Sequence, residues 1–519
     1  MCTDALIVND RFPRWCFEPG QKTDQGSVKA PPSVAVRQGN LLEPARRGES
    51  FSPRSPSDHP IHFARQDMEL VYQRCCGIDI HKKVIVACLI LLTAKGERHK
   101  EIRTFRTVTT ELLELLDWLT AAECTHVAME STGVYWRPVY NLLEGHFELL
   151  VVNAQHIKAV PGRKTDVRDA EWIADLLQHG LLKGSYIPAA FQRELRELTR
   201  YRVSLVQDRA RAVNRLQKTL EDTNLKLGDV ATNIMGKSAR AILQALLAGQ
   251  TDPVALADLA RGRLKAKRAQ LEEALVGTVK PHHGFLLGEQ LALIDTLDEA
   301  IERLSREIAQ RLDLPPDPDP GSERQNDGQA DDVAMKEPQI PLVQQSQQQD
   351  QPLSWKQAVA LLDTIPGINE RAAQGIVAEI GIEMSRFPTA GHLASWAGMC
   401  PGNNESAGKR LSGKTRKGSP WLRQLLVEAA HAAAHSKNTY LSALYHRIKA
   451  RGGAKKALLA VAHAILVAIY HMLNRGVSYQ ELGGNYFDEH DRQAVEKRLV
   501  RRLEKLGYQV SLEPVAQIA

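Results

Sequence analysis

The sequence predicts an α/β domain built on a mixed sheet, then a helical coiled-coil middle, then a mostly α C-terminal domain with a helix-hairpin-helix-like element. Three observations carry that prediction. Between residues 68 and 188, β-branched apolar runs come first and then alternate with stretches of helical spacing, the succession that lays helices on a sheet. Residues 189–313 keep a helical period almost unbroken. Residues 355–478 return to shorter helical stretches punctuated by Gly and Pro, beyond a segment at 314–354 whose Pro, Asp and Gln leave little to bury and mark a disordered linker.

Taken in order, residues 1–67 are rich in Pro, Ser, Arg and Gln without an apolar period, so they read as a disordered tail. Met68, where patterned sequence begins, is the expected natural start, with the tail as read-through of upstream sequence. GIDI and VIVACLILL read as strands, and EIRTFRTV as another after the AKGE turn. Leucines 112, 113, 115, 116 and 119 give Glu111–Ala121 a helical face. THVAME reads as a short buried strand, VYWRPVYNLLEG as a helix, FELLVVN as a strand and DVRDAEWIADLLQH as a helix. This succession suits an RNase H-like layering, with the strand order left open.

In the middle region Leu198, Tyr201, Leu205, Ala212, Leu216 and Leu220 line one side of a first helix. In a later helix Ile294, Leu297, Ile301, Leu304 and Ile308 step by three and four, an a/d seam. Either an intramolecular packing face or a dimerisation arm fits it. A charged helix near Asp491–Lys505 closes the chain, inside a C-terminal helical tail at 479–519.

Composition narrows the function. Of 519 residues 43% are hydrophobic and 25% charged, near the globular average, which excludes wholesale disorder. Lys plus Arg number 67 against 61 Asp plus Glu, and a net charge of +6 decides nothing until its distribution is read. Seven cysteines with no C-x-x-C pair exclude a disulfide scaffold, a zinc ribbon and a thioredoxin-type site, so a reduced, cytoplasmic setting is expected. The apolar run Ala457–Leu473, broken by His463 and His471, is short for a membrane span and suits a buried core helix. The first residues lack a basic stretch followed by an apolar one, so no export signal is expected.

Four carboxylates stand out: Asp79, Glu130, Asp166 and Asp169. Asp79 lies in an apolar strand context, where a carboxylate is costly unless paired or bound to a cation. Glu130 ends an apolar run and would project from a strand end. Asp166 and Asp169, three apart at a helix start, share a face. Three elements could thus deliver hard oxygen donors to one place, as Mg²⁺ or Mn²⁺ requires, and paired ions of that kind serve phosphoryl transfer. Alone, Asp166 and Asp169 equally suit a helix N-terminus through capping and the macrodipole, and Glu130 suits a surface position.

The segments GIDIHKKVIVACL, MESTGVYWRPVYNLLE and LLVVNAQHIKAVPGRKTDVRDAEWIADLLQHGLL, in that order, resemble the DEDD transposases of the insertion-sequence IS-one-ten family, relatives of Piv-type DNA invertases. The resemblance extends over most of residues 68–510. It implies a RuvC-like fold within the RNase H-like class, with the family's four acids on Asp79, Glu130, Asp166 and Asp169.

In the C-terminal part DTIPGINERAAQGIVAEIG resembles a helix-hairpin-helix element. Pro366 and Gly367 make its turn, Asn369 could cap the next helix, and exposed N–H groups there could hold a DNA phosphate; an ordinary αα-corner fits as well. From Pro401 to Leu425 six cations, Lys409, Arg410, Lys414, Arg416, Lys417 and Arg423, face one acid, Glu405. Glycines 402, 408, 413 and 418 make this stretch loop-like, able to follow a phosphate path. Ser406 and Ser412 both lie in it, and residue chemistry does not choose between them. The resemblance does: Glu405-Ser406-Ala407-Gly408-Lys409 is similar to the family's Ser-Gly-Gly-Lys-like stretch with its essential serine, Ala407 replacing the first glycine. Glu428, His431 and His435 have metal-like spacing on a helix that otherwise reads as packed. Tyr440, Tyr445 and Tyr470 lack the Arg and His companions of a tyrosine recombinase.

The expectation is a transposase or site-specific DNA recombinase, bacterial, cytoplasmic and nucleoid-associated, with metal-bound acids and Ser406 as nucleophile. The resemblance further implies a structured noncoding guide RNA and a homo-oligomer, dimer or tetramer. Competing readings are a metal-dependent junction-resolving endonuclease, a catalytically decayed DNA-binding protein and a helical scaffold.

Overall fold

The computed structural model describes residues 70–93, 96–131, 133–153, 169–313, 353–402, 404–406 and 409–512; the tail at 1–67 and nearly all of the linker at 314–354 lie outside them. The chain divides into two compact units, one ending at Ile187 and the other starting at Pro188.

The first unit is a six-stranded mixed sheet. β1 (Arg74–Ile80), β2 (Val84–Leu92) and β3 (Arg98–Arg106) form an antiparallel meander. After α1 (Thr109–Ala121), β4 (His126–Glu130) returns to lie parallel to β1. α2 (Trp136–Leu143) then leads to β5 (Glu148–Val152), parallel to β4. α3 (Asp169–Gln178) precedes the short β6 (Gly184–Ser185), antiparallel to β5. The order is β3-β2-β1-β4-β5-β6, which no sequence pattern supplied.

Alternation along the strands builds two cores. Cys76, Ile78 and Ile80 pack with Val127, Met129, Leu115 and Leu119 on the face that α1 and α2 cover. Cys75 packs with Cys88, Ala128, Ile173 and Ala174 on the α3 face. α3 lies close against β1 because Gly77 has no side chain. A Cβ there would stand 2.5 Å from Ala170 O and 2.8 Å from Ala174 Cα. Asp175 of α3 also pairs with Arg98 and, at 3.1 Å, with Lys100 of β3.

The second unit is mostly helical. α4 (Ala190–Asp222) leads through α5 (Leu227–Val230), α6 (Lys237–Leu247), α7 (Pro253–Ala257), a 3₁₀ turn and α8 (Arg268–Ala274) to α9 (Pro281–Asp313). α4 and α9 form an antiparallel pair. Leu195 shares a core with Ile308 and Leu312 at one end, and Leu216 and Leu220 share another with Leu287 and Leu291 at the far end. The a/d seam of α9 is therefore filled within the chain, Ile294, Ile301 and Ile308 being buried. On α4 the expected stripe needs correction at one place: Tyr201 is 59% exposed, and Arg202 turns inward instead. Its guanidinium donates to Gln374 Oε1 at 2.7 Å and Arg371 O at 3.0 Å, the partners a buried cation needs.

α10 (Trp355–Asp363) starts on a capping box in which Ser354 and Gln357 satisfy each other's backbone N–H groups, so the helix cap falls just inside the expected linker. α11 (Glu370–Ile380) and α12 (Ala390–Trp396) follow, then a ribbon of β7 (Asn404–Ser406) and β8 (Lys409–Ser412). α13 (Pro420–Ala434), α14 (Tyr440–Gly452) and α15 (Ala454–Arg475) complete the core. α16 (Tyr486–His490), packed on the core through Tyr486 and Phe487, and α17 (Arg492–Lys505) end the described chain. α15 is long and apolar enough to span a membrane, but its Val461, Ile465, Leu466 and Ile469 are fully buried among the other helices. The root of the α4–α9 pair joins this same core rather than standing apart.

Candidate active site

Strand register brings two of the expected acids together. β1 and β4 run parallel with Ile78 opposite Met129, which sets Asp79 beside Glu130 at the carboxyl ends of adjacent strands, about 4.8 Å apart in backbone spacing. Gly77 and Cys75 face α3, so by alternation Asp79 does too; Ala128 is on the same side, and Glu130 two residues on follows it. α3 runs antiparallel to β1, since Cys75 Sγ meets Ala174 O at 3.9 Å while Gly77 also faces Ala170. Its first residue, Asp169, therefore lies toward the end of the sheet that carries Asp79 and Glu130. Asp166 lies outside the described residues.

Asp79 is nearly enclosed, 9% exposed, and its Oδ2 lies 3.1 Å from His81 Nε2. Sequence reasoning passed over His81; its place two residues after Asp79, just past the end of β1, was the signal available. Glu130 is half-buried, and the next residue, Ser131, donates its N–H to Val152 O, fixing where β4 ends. The cysteines behind this face are spectators. Burial pushes the Cys75 thiol up to about 12 and Cys88 up to about 11, leaving neither as a thiolate at neutral pH.

The donor set, carboxylates delivered by two strand ends and a helix start, fits a hard divalent cation and not a soft one. Among the described residues no three His, Cys, Asp or Glu side chains converge closely enough to hold an ion by themselves. Glu428, His431 and His435 are no exception. Glu428 accepts from Gln424 Nε2 at 2.9 Å, and His435 Nδ1 lies 2.7 Å from the His431 carbonyl.

The expected cationic loop is instead a ribbon, a correction to the loop-like reading. Ser406 pairs with Lys409 and Glu405 with Arg410, with an irregularity at Asn404/Glu405; the pairing continues at its base through Pro401 and Thr415. Ser406 thus sits next to the tip, with Lys409 directly across. Glycines at the root serve packing: a Cβ on Gly418 would stand 2.7 Å from Gly398 N. Lys409, Lys414, Arg416 and Lys417 are exposed, whereas Arg423 on α13 donates to Thr415 Oγ1 at 2.9 Å and braces the ribbon. The side chains of Ser406, Arg410 and Ser412 are outside what is described.

Pro366 and Gly367 occupy the turn between α10 and α11. Asn369 caps α11, accepting from Ala372 N at 2.9 Å. Gly367 has φ +92°, and a Cβ there would lie 2.6 Å from Ala433 N, so the turn seats directly on α13. The tyrosines fill structural places: Tyr470 donates to Phe387 O at 2.9 Å, Tyr440 stacks on Phe487, and Tyr445 is buried.

Sequence reasoning also missed a clasp in this unit. Glu379, 2% exposed, accepts from Arg200 through Nε at 2.6 Å and Nη2 at 2.9 Å, and from Ser419 Oγ at 3.0 Å. Ser419 in turn caps α13. The clasp ties α4 and α11 to the helix that follows the ribbon.

A family model described as Transposase, of the DEDD IS110 type, matches residues 76–225. A second, described as Transposase IS116/IS110/IS902 family, matches residues 359–446. The chain is also similar to the insertion element IS110 uncharacterized 43.6 kDa protein of Streptomyces coelicolor, 32% identical over 126 residues. That match covers 23% of this chain and 30% of the relative, so the chain spans less than a third of the relative's length in it.

Proposed function

Because the chain belongs to the IS110 family of DEDD transposases, we propose that it is a transposase or site-specific DNA recombinase that cleaves and exchanges the strands of an insertion sequence. The observation that carries this reading is the placing of Asp79 beside Glu130 at adjacent strand ends, on the face where α3 begins with Asp169. The sheet order, an antiparallel meander extended by two parallel strands, supports the RNase H-like, RuvC-like assignment of the first unit. The turn between α10 and α11 remains a helix-hairpin-helix candidate, in which Pro366 shapes the turn and Gly367 supplies the backbone N–H for a phosphate.

Asp79, Glu130, Asp166 and Asp169 are the residues that would hold Mg²⁺ or Mn²⁺. The ion, when bound, supplies positive charge against the scissile phosphodiester. His81 orients the Asp79 carboxylate. Ser406 Oγ gives up its proton and bonds to phosphorus as the P–O bond to the departing strand breaks. The hydroxyl of the exchanged strand then attacks the phosphoserine, breaking the serine ester and restoring a phosphodiester. Bond energy is conserved through both steps, so the reaction itself needs no nucleotide; Gly408–Thr415 fits the string G-x-x-x-x-G-K-[ST], but its middle residues Lys409–Ser412 form strand β8 of the ribbon and not a loop leading from a strand into a helix. Lys409 beside Ser406, with Arg410, Lys414, Arg416 and Lys417, contacts the DNA backbone, and Arg423 supports them. The family resemblance extends the proposal to a structured noncoding guide RNA, to a homo-oligomer and to a nucleoid-associated cytoplasmic setting.

The test is a recombination assay on the element's ends with flanking noncoding DNA present, paired with a denaturing gel for a protein–DNA adduct. Wild type gives the adduct; Ser406→Ala and Asp79→Ala give neither adduct nor joined product. Cleavage retained by Ser406→Ala would make the protein a metal-dependent nuclease instead. Unchanged recombination by Asp79→Ala would remove the acids from the chemistry.

A further inference from the structure

α17 shows no buried residue along its whole length, and it lies beyond both stretches that the family models match. Its 14 residues carry six cations, Arg492, Lys497, Arg498, Arg501, Arg502 and Lys505, against two acids, Glu496 and Glu504. Their distribution is not that of a solvated helix with mixed charge. At about 100° per residue, Lys497, Arg501, Lys505, Arg498 and Arg502 fall within one arc of about 140°. Both glutamates fall outside that arc. Arg492, also outside it, is the cation that pairs with Glu496, at 2.9 Å. Among the described residues no carboxylate forms an ion pair with any of the five cations on the arc. Leu499, Leu503 and Leu506, between 42% and 68% exposed, form a narrow stripe along one edge of it.

We propose that this cationic face of α17 binds the phosphate backbone of duplex DNA, as a contact additional to the ribbon. The proposal rests on the transposase reading for its choice of polyanion, and on charge segregation for the site itself. Unpaired cations on one helix face gain little from the protein and much from releasing counterions off a polyanion. The arc from Lys497 to Lys505 is about 12 Å long. DNA presents a phosphate about every 3.4 Å of axis on each strand, so the face matches three or four phosphates. Backbone contacts of this kind add affinity without sequence preference.

The experiment uses the full-length protein and a labelled 30-base-pair duplex of arbitrary sequence, with affinity measured across a salt series. Replacing four cations together (Arg498→Ala, Arg501→Ala, Arg502→Ala, Lys505→Ala) removes about three phosphate contacts. The logarithmic salt slope should fall by about 3, so between 50 and 200 mM salt wild type loses about 60-fold more affinity than the variant. The four replaced side chains are exposed, so the variant keeps the fold, checked by circular dichroism. Leu499→Ser with Leu503→Ser should leave the slope and the oligomeric state unchanged. An unaltered slope in the four-cation variant overturns the proposal. So does loss of binding or of self-association in the leucine variant alone, which would assign the helix to a protein partner. A slope that falls on a structured RNA hairpin but not on the duplex overturns the choice of DNA. Wild type that binds no duplex at all sinks the transposase reading with it. A variant that binds like wild type while wild type still recombines sinks only the role of α17.

Discussion

Gly77→Ala is the most direct probe of how the fold makes the acidic site. The added methyl would stand 2.5 Å from Ala170 O and 2.8 Å from Ala174 Cα, both backbone atoms of α3 that no rotamer change can move. Restoring the 3.4 Å of an ordinary contact requires α3 to retreat from β1 by about 1 Å. Overpacking of that kind costs about 1–3 kcal/mol. The larger effect is on chemistry, because Asp169 rides on the first turn of the displaced helix while Asp79 and Glu130 stay with the sheet. A misplacement of about 1 Å lowers rates by roughly 10²-fold. Urea denaturation measures the first quantity and strand cleavage on element-end DNA the second. Under conditions where the variant is still fully folded, cleavage should drop about a hundredfold. Wild-type cleavage together with wild-type stability would refute the claim that close packing of α3 on β1 places the acids. Cleavage reduced only in proportion to the unfolded fraction would refute it equally.

Three other outcomes are expected. Glu379→Ala removes the buried carboxylate shared by Arg200 and Ser419; a cost of about 3 kcal/mol, the low end for a broken buried pair because Arg200 is a third exposed, should appear in the denaturation midpoint. His463, half-buried on α15, is held by desolvation below its ordinary value of 6.5. The unfolded chain therefore takes up the proton first, so this residue's contribution is complete above about pH 6.5 and is lost as pH falls below it; His463→Gln should flatten stability between pH 5 and 6.5, and an unchanged pH profile would contradict the assignment. Mn²⁺ at about 100 times its dissociation constant should raise stability by about 2.7 kcal/mol in a thermal melt, with Asp79→Asn abolishing the shift and EDTA reversing it.

Much of the fold was legible because its signals are local. The apolar runs at 75–80 and 84–92, the leucines of 109–121 and the Leu-Leu-Val-Val run at 149–152 each state their own period. Asp79 was legible as an anomaly within such a run, and Asn369 as a cap before a helical pattern. What could not be read depends on partners distant in sequence. Nothing in 74–80 announces that β4 pairs beside it, although that register is what puts Asp79 next to Glu130. Arg202 and Tyr201 exchanged places because Gln374, 172 residues away, offers the guanidinium an acceptor. The ribbon at 404–412 was hidden by its glycines, which suggest a loop while serving tight backbone contacts at its base.

The α4–α9 pair has a mechanical consequence. Each helix is 33 residues, about 50 Å from end to end. On a strut of that length a tilt of about 5° at the base sweeps the distal cap through about 4 Å. The base is packed into the core and hydrogen-bonded to α11, and one of its holds, the carboxylate of Glu379, also takes the serine that starts the helix after the ribbon. A displacement of the strut at Arg200 would therefore meet, through a single side chain, the cap of the helix onto which the ribbon runs.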